Sequence, residues 1–279
     1  MECGIYFASG SNRPADIRGF AAVGHAIGVA APELSPNAEK ELVKLAGTGI
    51  QVFVDSGAFS EVVFTEAGVV VVAPITEVMW QERLALYARL ARALGPQVHV
   101  VAPDRIGDQE ETLTRLTKYA PELRVIRALG AKILVPIQKG THSQATFVRA
   151  IERALGFSDF VHAIPSKKKA TSMSELRAYL TAVKPTAIHF LGLGIKNANA
   201  KTVLAMVEEL SPTATVTMDS NLIAANVGRG PVPRPLTRVR DEAAAMIAKG
   251  APYSSAQELG IILAFGNNAA KSAAFQKAA

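Results

Sequence analysis

The sequence is poor in cysteine, with Cys3 alone. One thiol excludes an internal disulfide and any zinc site that needs two or more cysteine ligands. Long apolar runs are missing as well. Gly68-Val-Val-Val-Val-Ala-Pro-Ile75 is strand length and carries a proline, well short of the roughly 18 to 20 residues a membrane span needs. The opening Met1-Glu-Cys-Gly-Ile-Tyr6 has no basic stretch leading into an apolar one, so no leader is expected and the cytoplasm is the expected compartment. No glycine-rich dinucleotide fingerprint, Walker loop, HxH or HExxH spacing occurs, so neither a metal nor another cofactor is expected. The histidines are His25, His99, His142, His162 and His189; three lie within apolar runs, where packing or donation to a neighbouring group suits them better than metal ligation.

What the chain does have is apolar mass: 49% of its 279 residues are hydrophobic and 19% charged, the profile of a folded domain. Short β-branched or aromatic runs alternate with longer helical stretches, the mark of βα units and a parallel sheet. Eight runs stand out: Gly4-Ile-Tyr-Phe-Ala-Ser9, Ala26-Ile-Gly-Val-Ala30, Gln51-Val-Phe-Val-Asp55, Val98-His-Val-Val-Ala-Pro-Asp104, Lys132-Ile-Leu-Val-Pro-Ile-Gln138, Phe160-Val-His-Ala-Ile164, Ala187-Ile-His-Phe-Leu-Gly192 and Thr215-Val-Thr-Met-Asp219. The second is the weakest, being short with a glycine inside. Helices are expected over 77–94 (with Thr76 as N-cap), 110–129, 143–155, 172–183 and 199–210. Together these predict an α/β fold, a single (β/α)8 TIM-barrel domain over 1–279, with an open doubly wound sheet as the alternative. A β-hairpin is expected over 61–75 with Glu66-Ala-Gly68 at its tip, one or two C-terminal helices over 237–264, and a loose tail from Asn267.

A barrel builds its active site at the C-terminal strand ends. Asp55, Asp104 and Asp219 end the third, fourth and eighth runs, and Gln138 ends the fifth. Any single Asp there could be a helix or turn cap; three converging on one mouth suggest acid–base chemistry, because neighbouring carboxylates in a partly dry site take different proton affinities. The net charge is +6, and Arg13, Arg105, Lys139, Lys167, Lys168, Lys169, Lys196, Arg229 and Arg234 all fall in loops expected on the same face. An acidic centre inside a basic rim suits a polyanion whose reacting atom is not phosphorus, with the rim on phosphates and the carboxylates on a sugar or base.

These strand-end segments resemble the tRNA-guanine transglycosylase superfamily. Asp55-Ser-Gly-Ala-Phe59 is similar to its Asp-Ser-Gly-Gly-Phe motif. Pro103-Asp-Arg-Ile-Gly-Asp-Gln-Glu-Glu-Thr112, Ile137-Gln-Lys-Gly140 and Met218-Asp-Ser220 resemble its later strand-end segments, in the same order. The compact length and the Ala-Phe-Ser variant look most like the deazapurine DNA modification branch. The resemblance implies Asp219 as nucleophile at the sugar's anomeric carbon and Asp55 as general acid/base. It implies Phe59 and Ser60, with Asp104, Gln138, Gly192 and Gly194, around the base, and the basic residues above on the backbone of DNA. Two departures bear on substrate. The chain lacks the cysteine-rich zinc site of the tRNA enzymes, and the segment after the sixth run reads Ile164-Pro-Ser-Lys-Lys-Lys169 where the family has Gly-Gly-Leu. The expected activity is therefore excision of a base, modified ones included, from flipped-out DNA, with phage defence as a suitable setting. Exchange of guanine for a free 7-deazaguanine base is the alternative, and tRNA a remoter one. Outside this chemistry stand a metabolic barrel acting on a small phosphorylated substrate and a catalytically inert nucleic-acid-binding barrel. Oligomeric state is unreadable from the sequence.

Overall fold

A computed structural model describes residues 3–66, 68–166, 170–194, 197–226 and 235–271. Eight parallel strands close into a barrel in the order β1-β10-β9-β8-β7-β6-β3-β2. They are β1 Ile5–Ala8, β2 Ile27–Ala30, β3 Val52–Asp55, β6 Val98–Val101, β7 Lys132–Pro136, β8 Val161–Pro165, β9 Ala187–Leu191 and β10 Thr215–Ser220. Each of the eight runs is a barrel strand, and closure removes the open-sheet alternative. The remaining pair, β4 Val62–Thr65 and β5 Gly68–Val71, forms the expected antiparallel hairpin after β3.

The glycine that weakened the second run has a steric reason. A Cβ on Gly28 would lie 2.7 Å from Ser9 Oγ and 2.8 Å from Ser9 Cα, so β2 needs glycine for Ser9 to sit where it does. The barrel lumen is filled by Phe7, Phe53, Val101, Leu134 and Ala163, with Phe7 and Phe53 ring centroids 5.5 Å apart. A larger apolar layer between barrel and helices holds Phe20, Leu42, Trp80, Leu90, Leu123, Ile151, Leu180 and Val207.

The outer helices follow local signals. α3 (Glu77–Leu94) begins where Thr76 accepts from the Met79 amide, and α7 (Met173–Val183) begins in a Ser172–Glu175 capping box. α6 (Gln144–Leu155) starts at Ser143 and ends at Gly156 in the left-handed region; α8 spans Ala198–Leu210. The helix expected over 110–129 is in fact two, α4 (Gln109–Lys118) and α5 (Ala120–Ala128). Pro121 has no amide hydrogen and its ring would crowd the carbonyl four residues back, so a new helix starts there. Two short proline-led helices were not anticipated, α1 (Pro14–Ala22) and α2 (Pro36–Val43). After β10 come α9 (Leu222–Asn226), α10 (Pro235–Ala248) and α11 (Ala256–Phe265). α11 lies against α1 so closely that a Cβ on Gly19 would sit 2.9 Å from Ile261 Cβ, and Arg18 Nε donates to Glu258 across the seam at 2.8 Å. The tail is not loose at its start: 268–271 are helical and Asn267 Oδ1 caps them, accepting from Ala270 N at 2.9 Å.

The hairpin is anchored at its root. Glu61 is fully buried and accepts from Arg115 Nη2 at 2.6 Å, Arg115 Nη1 at 2.8 Å, Arg105 Nη2 at 3.1 Å and the Ile75 amide at 2.9 Å. Removing one partner would strand a buried charge, at a cost of about 3–5 kcal/mol. Beyond this root the hairpin is apolar and exposed, with Val63, Phe64, Val70 and Val72 on the surface.

Candidate active site

Asp55, Asp104, Gln138 and Asp219 line one open cleft at the C-terminal strand ends. Its apolar walls are Phe53, Val101, Ile106, Pro136 and Leu191, and Phe59 and Phe64 stand at its rim. β10 and β6 are four places apart around the eight-strand ring, so Asp219 and Asp104 face each other across the mouth.

Asp219, in the last turn of residues of β10, is buried and surrounded by donors. The Gly192 amide donates to Oδ1 at 2.6 Å, His189 Nε2 donates to the same oxygen at 3.2 Å, and Ser9 Oγ donates to Oδ2 at 2.7 Å. Burial by itself would raise the carboxyl's pKa. The His189 hydrogen bond and charge, the Gly192 amide and Ser9 outweigh it and hold Asp219 below the ordinary carboxylate range. His189 is fixed in turn: Nδ1 shares a 2.8 Å hydrogen bond with Thr217 Oγ1, and Phe53 stacks on the ring at 4.8 Å. Next along β10, Ser220 is hydrogen-bonded to Tyr6 of β1.

Asp104 shows the opposite behaviour. It lies three residues beyond the end of β6, not within the strand, and is 3% exposed. Oδ1 accepts from Ser56 Oγ at 3.2 Å and Oδ2 from Gln138 Nε2 at 2.8 Å. Burial comes first among the influences on it and the nearby Asp55 second; together they overcome these donors and Arg115 and push its pKa up to about 7. Asp55 ends β3, and its Oδ1 accepts from the Gly57 amide at 3.2 Å. The turn at Gly57 has φ 73°, and a Cβ there would lie 2.5 Å from Pro32 Cγ, so glycine is needed twice over in the Asp55-Ser-Gly-Ala-Phe59 segment.

Gln138 is held at both ends of its amide, its Oε1 accepting from Gly107 N at 2.9 Å. One N–H hydrogen therefore remains for anything in the cleft. Gln109, which no sequence signal singles out, holds that loop: its Nε2 donates to the Gln138 and His142 carbonyls at 3.0 and 3.1 Å, and its Oε1 accepts from the His142 amide at 3.0 Å.

Several sequence expectations need correction. Gly192 lines the cleft, but its amide is given to Asp219 rather than held out for a base. Gly194 and Ser60 do not line it; the Gly194 carbonyl accepts from Asn197 N, and Ser60 Oγ donates to the Gly57 carbonyl. Arg105 does not face a backbone phosphate, because Glu61 and Glu111 hold it at 3.1 and 3.6 Å. Lys139 pairs with Glu175 at 2.6 Å, although both are exposed enough to exchange partners. Arg13 is exposed at the start of α1. Lys167, Lys168, Lys169, Lys196, Arg229 and Arg234 lie outside the described residues. Sequence reasoning missed Ser9, His189 as a partner of Asp219, and Phe64, whose ring centroid is 5.7 Å from that of Phe59. Among the described residues no three histidine, cysteine or carboxylate groups gather as a metal ion would need.

No family model and no curated protein matches the chain. Solved structures share the barrel at low identity. A D-allulose 3-epimerase from Methylomonas sp. is 11% identical, with TM-score 0.47, over 80% of this chain and 88% of that one. An N-acetylneuraminate lyase from Mycoplasma synoviae is 11% identical, with TM-score 0.47, over 98% and 95%. A xylose isomerase-like TIM barrel/4-hydroxyphenylpyruvate dioxygenase fusion protein is 10% identical, with TM-score 0.46, over 88% of this chain and 42% of that one. Such distant likenesses say nothing of chemistry.

Proposed function

We propose that the chain is an enzyme that cleaves the N-glycosidic bond of a base in DNA, with Asp219 as nucleophile and the Asp55–Asp104 pair handling the base's proton. The observation that carries this reading is the opposed carboxyls facing each other across one cleft, Asp219 held ionised by three donors and Asp104 holding its proton to about pH 7. Two groups with separated proton affinities make a nucleophile and an acid. In the first step an Asp219 oxygen bonds to C1′ of the flipped nucleotide as the C1′–N bond breaks. The electron pair of that bond leaves with the base, which takes a proton from the carboxyl pair. In the second step water gives a proton to the carboxyl pair as its oxygen bonds to C1′ and the Asp219–C1′ bond breaks; in the exchange alternative a ring nitrogen of the free base does the same.

The cleft's apolar walls and its aromatic rim at Phe59 and Phe64 suit a flat base drawn out of a stack. A small phosphorylated substrate is the weaker reading, since the cleft is walled by Phe53, Val101, Ile106, Pro136 and Leu191 and rimmed by Phe59 and Phe64. The choice of DNA over RNA leans on the family resemblance and the +6 charge. Excision is favoured over exchange because the segment after β8, Ser166 to Lys169 in sequence, replaces the family's glycine-rich base contact.

The deciding experiment incubates the protein with single- and double-stranded DNA and with tRNA, carrying ordinary or modified bases, with and without labelled free 7-deazaguanine base. Alkali-labile breaks mark excision and incorporated label marks exchange. Neither product on any substrate, with Asp219→Ala indistinguishable from wild type, would remove the proposal.

A further inference from the structure

α3 carries a buried cation that the chemistry above does not use. Arg83 is 4% exposed, its Nη1 is buried without a hydrogen bond, and among the described residues it forms no ion pair. Its guanidinium lies over the Trp80 ring, 4.9 Å from the centroid. An unpaired buried charge costs several kcal/mol, so a fold that keeps one needs a compensating reason. Simple apolar filling would have served the packing at least as well.

Its position supplies a reason. Arg83 Nη2 is 3.9 Å from where a Cβ on Gly57 would stand, so the cation sits behind the turn that follows Asp55. It does not line the cleft. The carboxylates whose fields it feels are Glu61 and, next, Asp55. Glu61 is already held by Arg115 and Arg105. One turn further along α3, the fully buried Tyr87 hydroxyl has no hydrogen-bond partner and lies in the fields of Asp55, Arg83 and Asp104. From α4, Arg115 reaches Asp104, donating to its backbone carbonyl at 2.6 Å. Charged and titratable groups around the pair include Arg83 and Tyr87 from α3, Arg115 from α4, and Glu61 at the hairpin root.

We infer that Arg83 is a positioning residue that keeps Asp55 the ionised member of the Asp55–Asp104 pair, leaving the pair's proton on Asp104. Where two neighbouring carboxyls share one proton, a fixed cation behind one of them favours giving it up there. Arg83 stays charged throughout the working range because a guanidinium does not lose its proton in proteins. The inference rests on reading the cleft as an acid–base site, but not on what substrate the cleft takes.

The test is a carbon-13 NMR titration of aspartate-labelled protein, with no substrate present, so the glycosylase reading can fail while this one stands, or the reverse. In Asp104→Asn protein Asp55 titrates without its partner. Adding Arg83→Met should raise the Asp55 midpoint by about one pH unit, whereas Arg83→Lys, which retains the charge, should leave it within a few tenths. In protein with both aspartates, Arg83→Met should spread the step near pH 7 over both carbon signals. Arg83→Met should still fold, with any loss of melting temperature confined to pH above the Asp55 midpoint, where the ionised Asp55 has lost its cation. An Asp55 midpoint unmoved by Arg83→Met, or raised as much by Arg83→Lys, overturns the inference. So does an Arg83→Met protein that fails to fold, since the cation would then be serving the fold and not Asp55.

Discussion

Asp219 and Asp104 are buried to a similar degree, at 8% and 3% exposure, on opposite arcs of the same barrel mouth, yet their proton affinities move apart. Burial penalises both anions. On the β10 side a backbone amide, an imidazole and a hydroxyl repay Asp219. On the β6 side two neutral donors reach Asp104, but a second carboxylate stands nearby. Depth in the barrel therefore does not set the charge of these groups; the balance of donors and carboxylates around each one does.

The sharpest way to break this contrast is at Asp219, the proposed nucleophile. Asp219→Asn should lower glycosidic cleavage by about 10⁴-fold or more, read as alkali-labile sites per hour. Asp104→Asn should cost about 10² to 10⁴-fold. In wild type the rate should fall as pH rises through about 7, where Asp104 loses its proton, and the asparagine variant should lose that limb. A pH–rate profile of both proteins checks it. On the other wall, Ser9→Ala removes one donor to the Asp219 anion and should slow the rate about 10-fold or somewhat more, with KM little changed.

Stability offers a reading independent of turnover. Asp104 has a folded pKa of about 7 against 3.8, so between those values the unfolded chain ionises first and the folded state loses stability as pH rises, by about 4 kcal/mol in all. Asp219 has the opposite sign. Its folded pKa is depressed, so its contribution is present above the ordinary carboxylate range and is lost as pH falls through the folded value. Urea unfolding from pH 4 to 8 should show Asp104→Asn flattening the decline on the neutral side. The smallest effect belongs to the exposed hairpin: Phe64→Ala should change stability by less than about 0.5 kcal/mol and raise KM a few-fold, measured by saturation kinetics.

The two walls also differ in how legible they were. Each carboxylate of the cleft closes a hydrophobic run, so the barrel and the convergence of Asp55, Asp104 and Asp219 could be read from period and position. The groups that decide their charge are remote in sequence. Ser9 and Asp219 are 210 residues apart and meet only because β1 and β10 pair at closure. Arg105 and Lys139 read as free cations from sequence because nothing local announces that Glu61 and Glu175 fold onto them. Nothing local in the helix over 77–94 singles out Arg83, and only the turn at Gly57 reveals what lies in front of it.

The central claim is that Asp219 itself bonds to the sugar. Mass spectrometry of protein quenched in acid during turnover on DNA, followed by peptide mapping, addresses it directly. The account predicts a deoxyribose-linked adduct on the peptide carrying Asp219, accumulating when the second step is slowed. Base release with no adduct at any time point, or an adduct on the peptide carrying Asp55 or Asp104, would contradict it.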